Sequence, residues 1–600
     1  MSWRVAAFAA AALCAFAVAG SAFGAGIDTV SNGSPANTTP QNHQNEPAVA
    51  IDANHPNIVV AGWNDFVDWA PCPQHDALDF GTCADDADNG VGLSAVAFSF
   101  DRGNHWTQPA YPGGWTAADC DPTASSCTPH VGTIHTLPGY FENTLVSSGD
   151  PAVTIGPIPD DNGHFSWSNG ERVYYANLVG AWPSGFAFPN SEFHGFLGVG
   201  VSRLDNPTPQ SILQASSWQA PVIVNQTTGQ TAFEDKEQIW ADNASLSKFF
   251  GRVYLCNPEF RSVGQHKGLG GGTFPAPLTI SYSTDGGSTW TTKQVTPAGT
   301  NGLGPTQFGI SGCTVRTDSH GNAYVFAEMF QSPTIVGLPT HGFHVMWTST
   351  DGGVHWSKMQ VIQQINDPCF FTDPVYGRCV LDGFAGARTD LSAAPSIDIA
   401  NGAPTGGMSA SNEIVDVWAD SGTTVNSNAA LLTFSRDGGQ TWTGPVDVTQ
   451  SGDRPIYAAP ALSPSGDRLY VVYEADTAPW RAGDMTSTRP YHGVFETAAI
   501  GSSGAPGAWT AQTGPLGDLR ATYPGHDIYQ ERIGDYVYAA ATQAYGVGVW
   551  TDASPAAVCS AVQAYRAASL AAGTLALPAP WPLFSCPTFG NTDILSNTTG

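Results

Sequence analysis

Basic residues are the scarcest resource of this chain: 22 lysines and arginines stand against 51 aspartates and glutamates in 600 residues, a formal charge of -29. A nucleic acid or an anionic membrane surface would meet repulsion over most of such a surface, which excludes both as partners. Charged residues make up only 12% of the chain, too few for a protein of long solvated helices. Beyond the first 24 residues no stretch reaches the roughly 20 apolar residues that span a bilayer. There is no His-Glu-x-x-His, no Gly-x-Ser-x-Gly elbow and no phosphate-binding glycine loop. The glycine-rich "HKGLGGGTF" from His266 lacks the Ser/Thr and helix pattern of the last of these and reads as a loop.

What is abundant is glycine (67), proline (44) and aromatic side chains (11%), the profile of many short strands joined by tight turns around an aromatic core. The N-terminus carries one charge at Arg4, an apolar run from Val5 to Val18 and small residues suited to cleavage after Ala22 or Gly24. Residues 1–24 are therefore expected to be a signal peptide, and residues 25–600 a single exported, monomeric domain. Cys14 follows Leu13 rather than a small residue, which argues against a lipid anchor. Ten cysteines remain, an even number in a compartment where disulfides persist.

The stretch "SYSTDGGSTW", ending at Trp290, nearly recurs as "FSFDRGNHW" ending at Trp106, "TSTDGGVHW" at Trp356 and "FSRDGGQTW" at Trp442. Each copy follows a short apolar strand, a turn and a second strand, so the unit has four strands and the Asp motif joins the third to the fourth. Units start near Glu46, Asp150, Lys236, Gly312, Ala394, Tyr457 and Gly534. Repeated four-stranded antiparallel sheets predict an all-β propeller, seven-bladed with six as the alternative. "IDTVSNGS" after the leader is placed to supply the outer strand of the last blade. Within the motif, the Asp carboxylate accepts backbone N–H groups of the following turn, glycine supplies positive φ and the Trp ring is buried, so a folding role accounts for every position.

These four stretches resemble the Asp-boxes, or bacterial neuraminidase repeats, of sialidase-like β-propellers. The resemblance covers about Glu46 to Asp552 and implies a glycan or glycoconjugate as partner. It extends equally to glycoside hydrolases and to propellers that bind without hydrolysis. Sialidases of this kind carry an Arg-Ile-Pro motif ahead of the first Asp-box, whereas here no arginine lies between the leader and Asp101; "RPIY" at Arg454 and "RIGDY" at Arg532 come late.

Strand alternation puts the Asp motifs and the strand one-to-two turns on one rim, and the long links on the other. Long loops on a rigid scaffold are where binding sites gather. Cys72–Cys83, Cys120–Cys127, Cys369–Cys379 and Cys559–Cys586 are expected to staple links on that upper rim, and Cys256–Cys313 to join neighbouring blades. Trp69, Trp115, Tyr140, Trp182, Trp480, Tyr491 and Trp581 lie in the same links, offering flat faces to a sugar. At the upper starts of the first strands stand Glu46, Asp150, Asp235, Lys236, Glu237, Asp535 and Tyr536, with Arg388, Arg454 and Arg532 close to comparable starts. The sialidase resemblance implies arginines and Lys236 on a substrate carboxylate, Asp235 or Asp535 as acid/base, and Tyr536 as nucleophile assisted by Glu237. No cofactor is required by this chemistry. Calcium would suit oxygen ligands near the axis, with "CADDADNG" at Cys83 as the best local candidate.

Overall fold

The computed structural model describes residues 26–32, 43–69, 91–120, 129–181, 196–228, 232–261, 276–297, 308–331, 341–366, 371–375, 377, 379–380, 393–424, 426–479, 486–523, 528–530, 533–576, 580 and 586–599. Seven antiparallel sheets follow one another along the chain as the blades of a propeller. Their innermost strands are Gln44–Ile51, Ala152–Pro159, Gln238–Ala241, Phe308–Thr317, Ser396–Ile399, Arg454–Leu462 and Tyr538–Ala541. The seven expected starts all fall at or within a few residues of them. Blade 1 has three full strands, its fourth reduced to a bridge between Phe98 and Thr107.

The ring closes as the sequence suggests. Ile27–Thr29 pairs with Asp593–Thr599, Ile27 opposite Asn597, so the outer strand of blade 7 comes from the other end of the chain. Gly546–Asp552 and Tyr538–Ala541 complete that sheet. Strands of every blade alternate buried side chains into the spaces between sheets; Trp63, Trp347, Trp418 and Trp550 are among the largest fully buried. Blade-to-blade packing thereby replaces exposed sheet faces.

All four Asp-x-Gly-x-x-Trp turns share one geometry. Around Asp285, the Ser283 hydroxyl donates to the carboxylate (2.8 Å) and accepts from Gly287 N (2.8 Å), while Ser288 N (3.0 Å), Thr289 N (2.9 Å) and the Thr289 hydroxyl (2.6 Å) all donate to Asp285. Gly286 and Gly287 take φ of 71° and 81°, where a side chain is strained. Trp290, Trp356 and Trp442 each donate Nε1–H back to the second glycine carbonyl of their turn. Trp106 instead reaches Ser596 of blade 7 (2.9 Å), a further tie across the closure.

Two expected disulfides form, Cys256–Cys313 between blades 3 and 4 and Cys559–Cys586 within the long link of blade 7. Cys120 is also disulfide-bonded. Cys72, Cys83, Cys127 and Cys369, and with them the other three expected pairings, lie outside the described residues. That blade 7 link also holds a helix, Ser560–Ala572, which the strand pattern did not anticipate. Its buried Arg566 donates to the carbonyls of Ile528 (2.7 Å), Arg520 (2.8 Å), Thr522 (2.7 Å) and Gln530 (2.8 Å), binding the link to the segment that joins blades 6 and 7.

Replacing Asp285 with Ala removes the acceptor of four donors in a partly solvated turn. The expected loss is about 1–2 kcal/mol at pH 7, read by denaturant titration. Burial raises the Asp285 pKa, but the Thr289 and Ser283 hydrogen bonds outweigh it and hold the carboxyl below its ordinary value. Its contribution is therefore present above the unfolded pKa and lost as the pH falls through the folded one, so parent and variant should converge below about pH 4. Equal stability at pH 7 would remove this turn from its structural role.

Candidate functional site

The upper ends of four consecutive inner strands share an unusual backbone feature. Glu46, Asp150 and Lys236 have φ of 56°, 53° and 56°, and Gly312 has 60°. Left-handed φ in three long side chains costs energy at each position and persists only where the surroundings hold it. In blades 1 and 4 the ladder register also slips here, between Asn45 and Ala48 and between Ser311 and Cys313. These bulges turn successive side chains toward one place, a result that plain two-residue alternation forbids.

That place is centred on Lys236. Its Nζ lies 2.6 Å from Asp535 Oδ2, 3.5 Å from Asp150 Oδ2 and 3.8 Å from Asp235 Oδ1, with the lysine side chain only 10% exposed. Burial opposes the charge, but Asp150, Asp235, Asp535 and Glu46 outweigh it and push the lysine pKa well up. Asn64 links the first two of these positions, donating to Glu46 Oε2 (2.6 Å) and accepting from Asp150 N (2.9 Å). Gly534 packs directly against Glu46: at φ 107° a Cβ there would lie 2.9 Å from Glu46 N. Blades 1, 2, 3 and 7 thus meet around a single ammonium group.

A cavity of about 40 Å³ opens beside this cluster, lined by Lys236, Glu237, Tyr457, Asp535, Tyr536 and Tyr538 among others. Glu237 is 4% exposed and among the described residues neither carboxyl oxygen has a hydrogen-bond partner. Burial, reinforced by Asp150, pushes its pKa well above the usual carboxylate range and so favours its protonated form. Burial likewise raises Tyr536, and Asp150 and Glu46 add to the effect. Both members of the expected nucleophile and base pair are thus shifted toward their protonated forms in this arrangement.

Of the residues singled out from the sequence, Glu46, Asp150, Asp235, Lys236 and Asp535 come together, with Glu237 and Tyr536 on the same cavity. Lys236 is occupied by carboxylates of the protein itself. Arg454 donates to Asn426 Oδ1 (3.2 Å) and the Gly452 carbonyl (3.1 Å). Arg388 and Arg532 lie outside the described residues, as does "CADDADNG". Three of the aromatic platforms prove to be packing: Trp69, Tyr140 and Tyr491 are at most 5% exposed, and Tyr491 donates to the Thr551 carbonyl (2.7 Å). Trp115 stacks on Phe141 (5.2 Å between centroids). Trp182, Trp480 and Trp581 are outside the described residues.

Sequence reasoning missed a second axial chamber of about 190 Å³ toward the lower rim, lined by Trp240, Asn243, Arg316, Asp398, Asn401 and Tyr538 among others. Arg316 stands over the Trp240 ring (4.7 Å) with Nε 3.5 Å from Asp398 Oδ1. Its position on an inner strand, "CTVRTD", was the available signal. A third group, Asp52, His55 and Glu171, lies between blades 1 and 2 and could hold a metal ion. Glu171 is more than a hundred residues from Asp52 and His55, so no local motif announces the group.

No family model and no curated protein matches the chain. Three-dimensional comparison finds similarity at low identity. A Dyadobacter fermentans protein of unknown function is 10% identical over 76% of this chain and 98% of its own, with a TM-score of 0.37. An α-L-arabinofuranosidase from Fusarium graminearum is 11% identical over 74% and 92%, with a TM-score of 0.36. The intramolecular trans-sialidase from Ruminococcus gnavus is 11% identical over 88% and 92%, with a TM-score of 0.29.

Lys236→Met tests the electrostatic account. Removing the cation strands three carboxylates, and the expected cost at pH 7 is about 3–5 kcal/mol by chemical denaturation. Burial already raises Asp150 above its unfolded pKa. A group raised in this way binds its proton more readily in the folded state, so its contribution is largest at low pH and fades as pH rises. The deficit of the variant should accordingly shrink between pH 7 and pH 5. A deficit that is constant with pH would mean that Lys236 acts through packing alone.

Proposed function

We propose that this is an exported propeller whose upper axial mouth binds a glycan and hydrolyses a glycosidic bond there. The observation that carries the reading is Glu237, a carboxyl whose protonated form burial favours, on the same cavity as Asp535, one of the carboxylates gathered around Lys236. Two carboxyl groups in opposite protonation states are what glycoside hydrolysis asks of a site. In this reading Glu237 gives its proton to the leaving oxygen. Asp235 or Asp535 stabilises the positive charge that develops on the sugar, and the Tyr536 phenol donates a hydrogen bond to the substrate. Lys236 holds the carboxylates in place rather than binding substrate.

Sialidase activity is a narrower form of the proposal and needs guanidinium groups for the substrate carboxylate; Arg388 and Arg532, which precede the inner strands of blades 5 and 7 in sequence, are the residues to supply them. Calcium has no step in this chemistry. The alternative, an exported propeller that binds a glycan or protein partner without turnover, is favoured by the small volume at the mouth, room for only a few waters.

Fluorogenic glycosides, neutral sugars and sialosides together, separate these readings. Turnover by the parent protein should fall about 10²–10⁴-fold in Glu237→Gln. The loss should be greatest for poor leaving groups, and the decline of kcat/KM at high pH should disappear with the proton donor. Turnover that Glu237→Gln leaves intact would discard this assignment, and glycan binding without turnover of any substrate would establish the alternative.

A further inference from the structure

The lower rim, opposite the proposed reaction site, carries the third cluster in a setting that a propeller fold does not itself require. Asp52 and His55 belong to the turn that joins the first two strands of blade 1; Glu171 lies on the second strand of blade 2. His55 Nδ1 is 3.2 Å from Glu171 Oε2 and 3.6 Å from Asp52 Oδ2, and the three donor atoms all lie within 4.8 Å of one another. Asp52 is fully buried and Glu171 is 7% exposed.

The two oxygens of Asp52 have different fates. One accepts the backbone N–H groups of Asn54 (2.7 Å) and His55 (3.0 Å), which closes the turn. The other, Oδ2, is buried, has no hydrogen-bond partner among the described residues and lies 3.6 Å from the His55 imidazole. A buried carboxylate oxygen left without a donor costs free energy that the fold has not recovered elsewhere. Among the described residues His55 is the sole basic group within 4 Å of either carboxylate, so two acids share at most one proton-dependent cation. His55 itself is half exposed, which leaves a path from solvent.

The geometry points to a divalent transition-metal ion held by Asp52 Oδ2, His55 Nδ1 and Glu171 Oε2 as a clip between blades 1 and 2. One imidazole nitrogen with two carboxylate oxygens is a mixed donor set that suits zinc or manganese, whereas calcium takes oxygen ligands and leaves imidazole aside. The place gives the ion leverage over the ring. The Tyr545 hydroxyl of blade 7 donates to the Pro56 carbonyl in the same turn, and Arg102 N of the first Asp motif donates to Asn57 O (3.1 Å). A metal there would fasten blade 2 to a turn that already joins blade 1 to the closing blade. This inference is independent of the chemistry proposed for the upper mouth.

The test uses the full exported chain, stripped with a chelator and titrated with zinc, manganese and calcium chlorides while binding and thermal unfolding are followed. Zinc or manganese should bind at one equivalent and raise the unfolding temperature in proportion to the logarithm of its concentration above Kd. Cobalt in the same site should give visible d–d absorption. His55→Ala, at a half-exposed position, should weaken binding at least tenfold and abolish the cobalt bands while leaving the far-UV circular dichroism of the chelated protein unchanged; Glu171→Gln should do the same. Absence of binding, calcium binding alone, or metal affinity unchanged in His55→Ala would each overturn the assignment and leave His55 as a side chain packed between two acids.

Discussion

Closure of the ring is the constraint on which the rest of the structure depends. Seven sheets in a row leave two open faces, and an open blade edge would be an exposed hydrogen-bonding template. The pairing of Ile27–Thr29 with Asp593–Thr599 removes the ends by making them one sheet. Once the ring is closed, seven inner strands must point at a common axis with no freedom to splay. Tyr545 to Pro56 and Trp106 to Ser596 then reinforce the junction from both sides.

Convergence on the axis has an electrostatic consequence. Residues 86 to 489 positions apart in the chain, Asp150, Lys236 and Asp535 with Glu46, are brought into one partly dehydrated space, where mutual repulsion among carboxylates would oppose closure. Lys236 resolves the conflict by lying between blades 1, 2, 3 and 7. Left-handed φ at Glu46, Asp150 and Lys236, with a bulge at the first of them, lets it do so, since a regular strand would turn one of each adjacent pair away from the mouth. Local backbone strain is thus exchanged for a fixed arrangement of charge, the pattern expected where geometry serves chemistry.

The fold was legible because its signals are local. Each Asp-x-Gly-x-x-Trp turn satisfies itself within about ten residues, apolar alternation marks each strand, and "IDTVSNGS" needed only a vacant edge to be placed. Cys256 and Cys313 could be paired because neighbouring blades are consecutive in sequence. The site was legible only as a list of residues at strand starts. Their roles depended on left-handed φ at Lys236 and on which carboxylates reach it, neither of which has a compositional mark. The aromatic links were misread for a related reason: Trp69, Tyr140 and Tyr491 look like platforms until the burial of their loops is known. Helix Ser560–Ala572 escaped because its tract of small residues carries a weak apolar period inside a long link.

The two rims use the same side chain to opposite ends. On the lower rim, Asp351 and Asp437 accept hydrogen bonds, chiefly from the His355 backbone in one case and the Thr441 hydroxyl in the other, and are drawn down to about 2. Such carboxylates are ionised at every physiological pH and their oxygens are committed to the turn. At the upper mouth Asp150 and Glu237 are buried among other acids and are pushed the other way. A group fixed in one protonation state by its own turn can shape a chain but cannot pass a proton. A group whose pKa burial raises is shifted toward the protonated form that a proton donor needs. Recurrence of aspartate along the chain therefore marks architecture, and departure from that recurrence, at Glu237 and Lys236 in a single blade, marks where chemistry is to be sought.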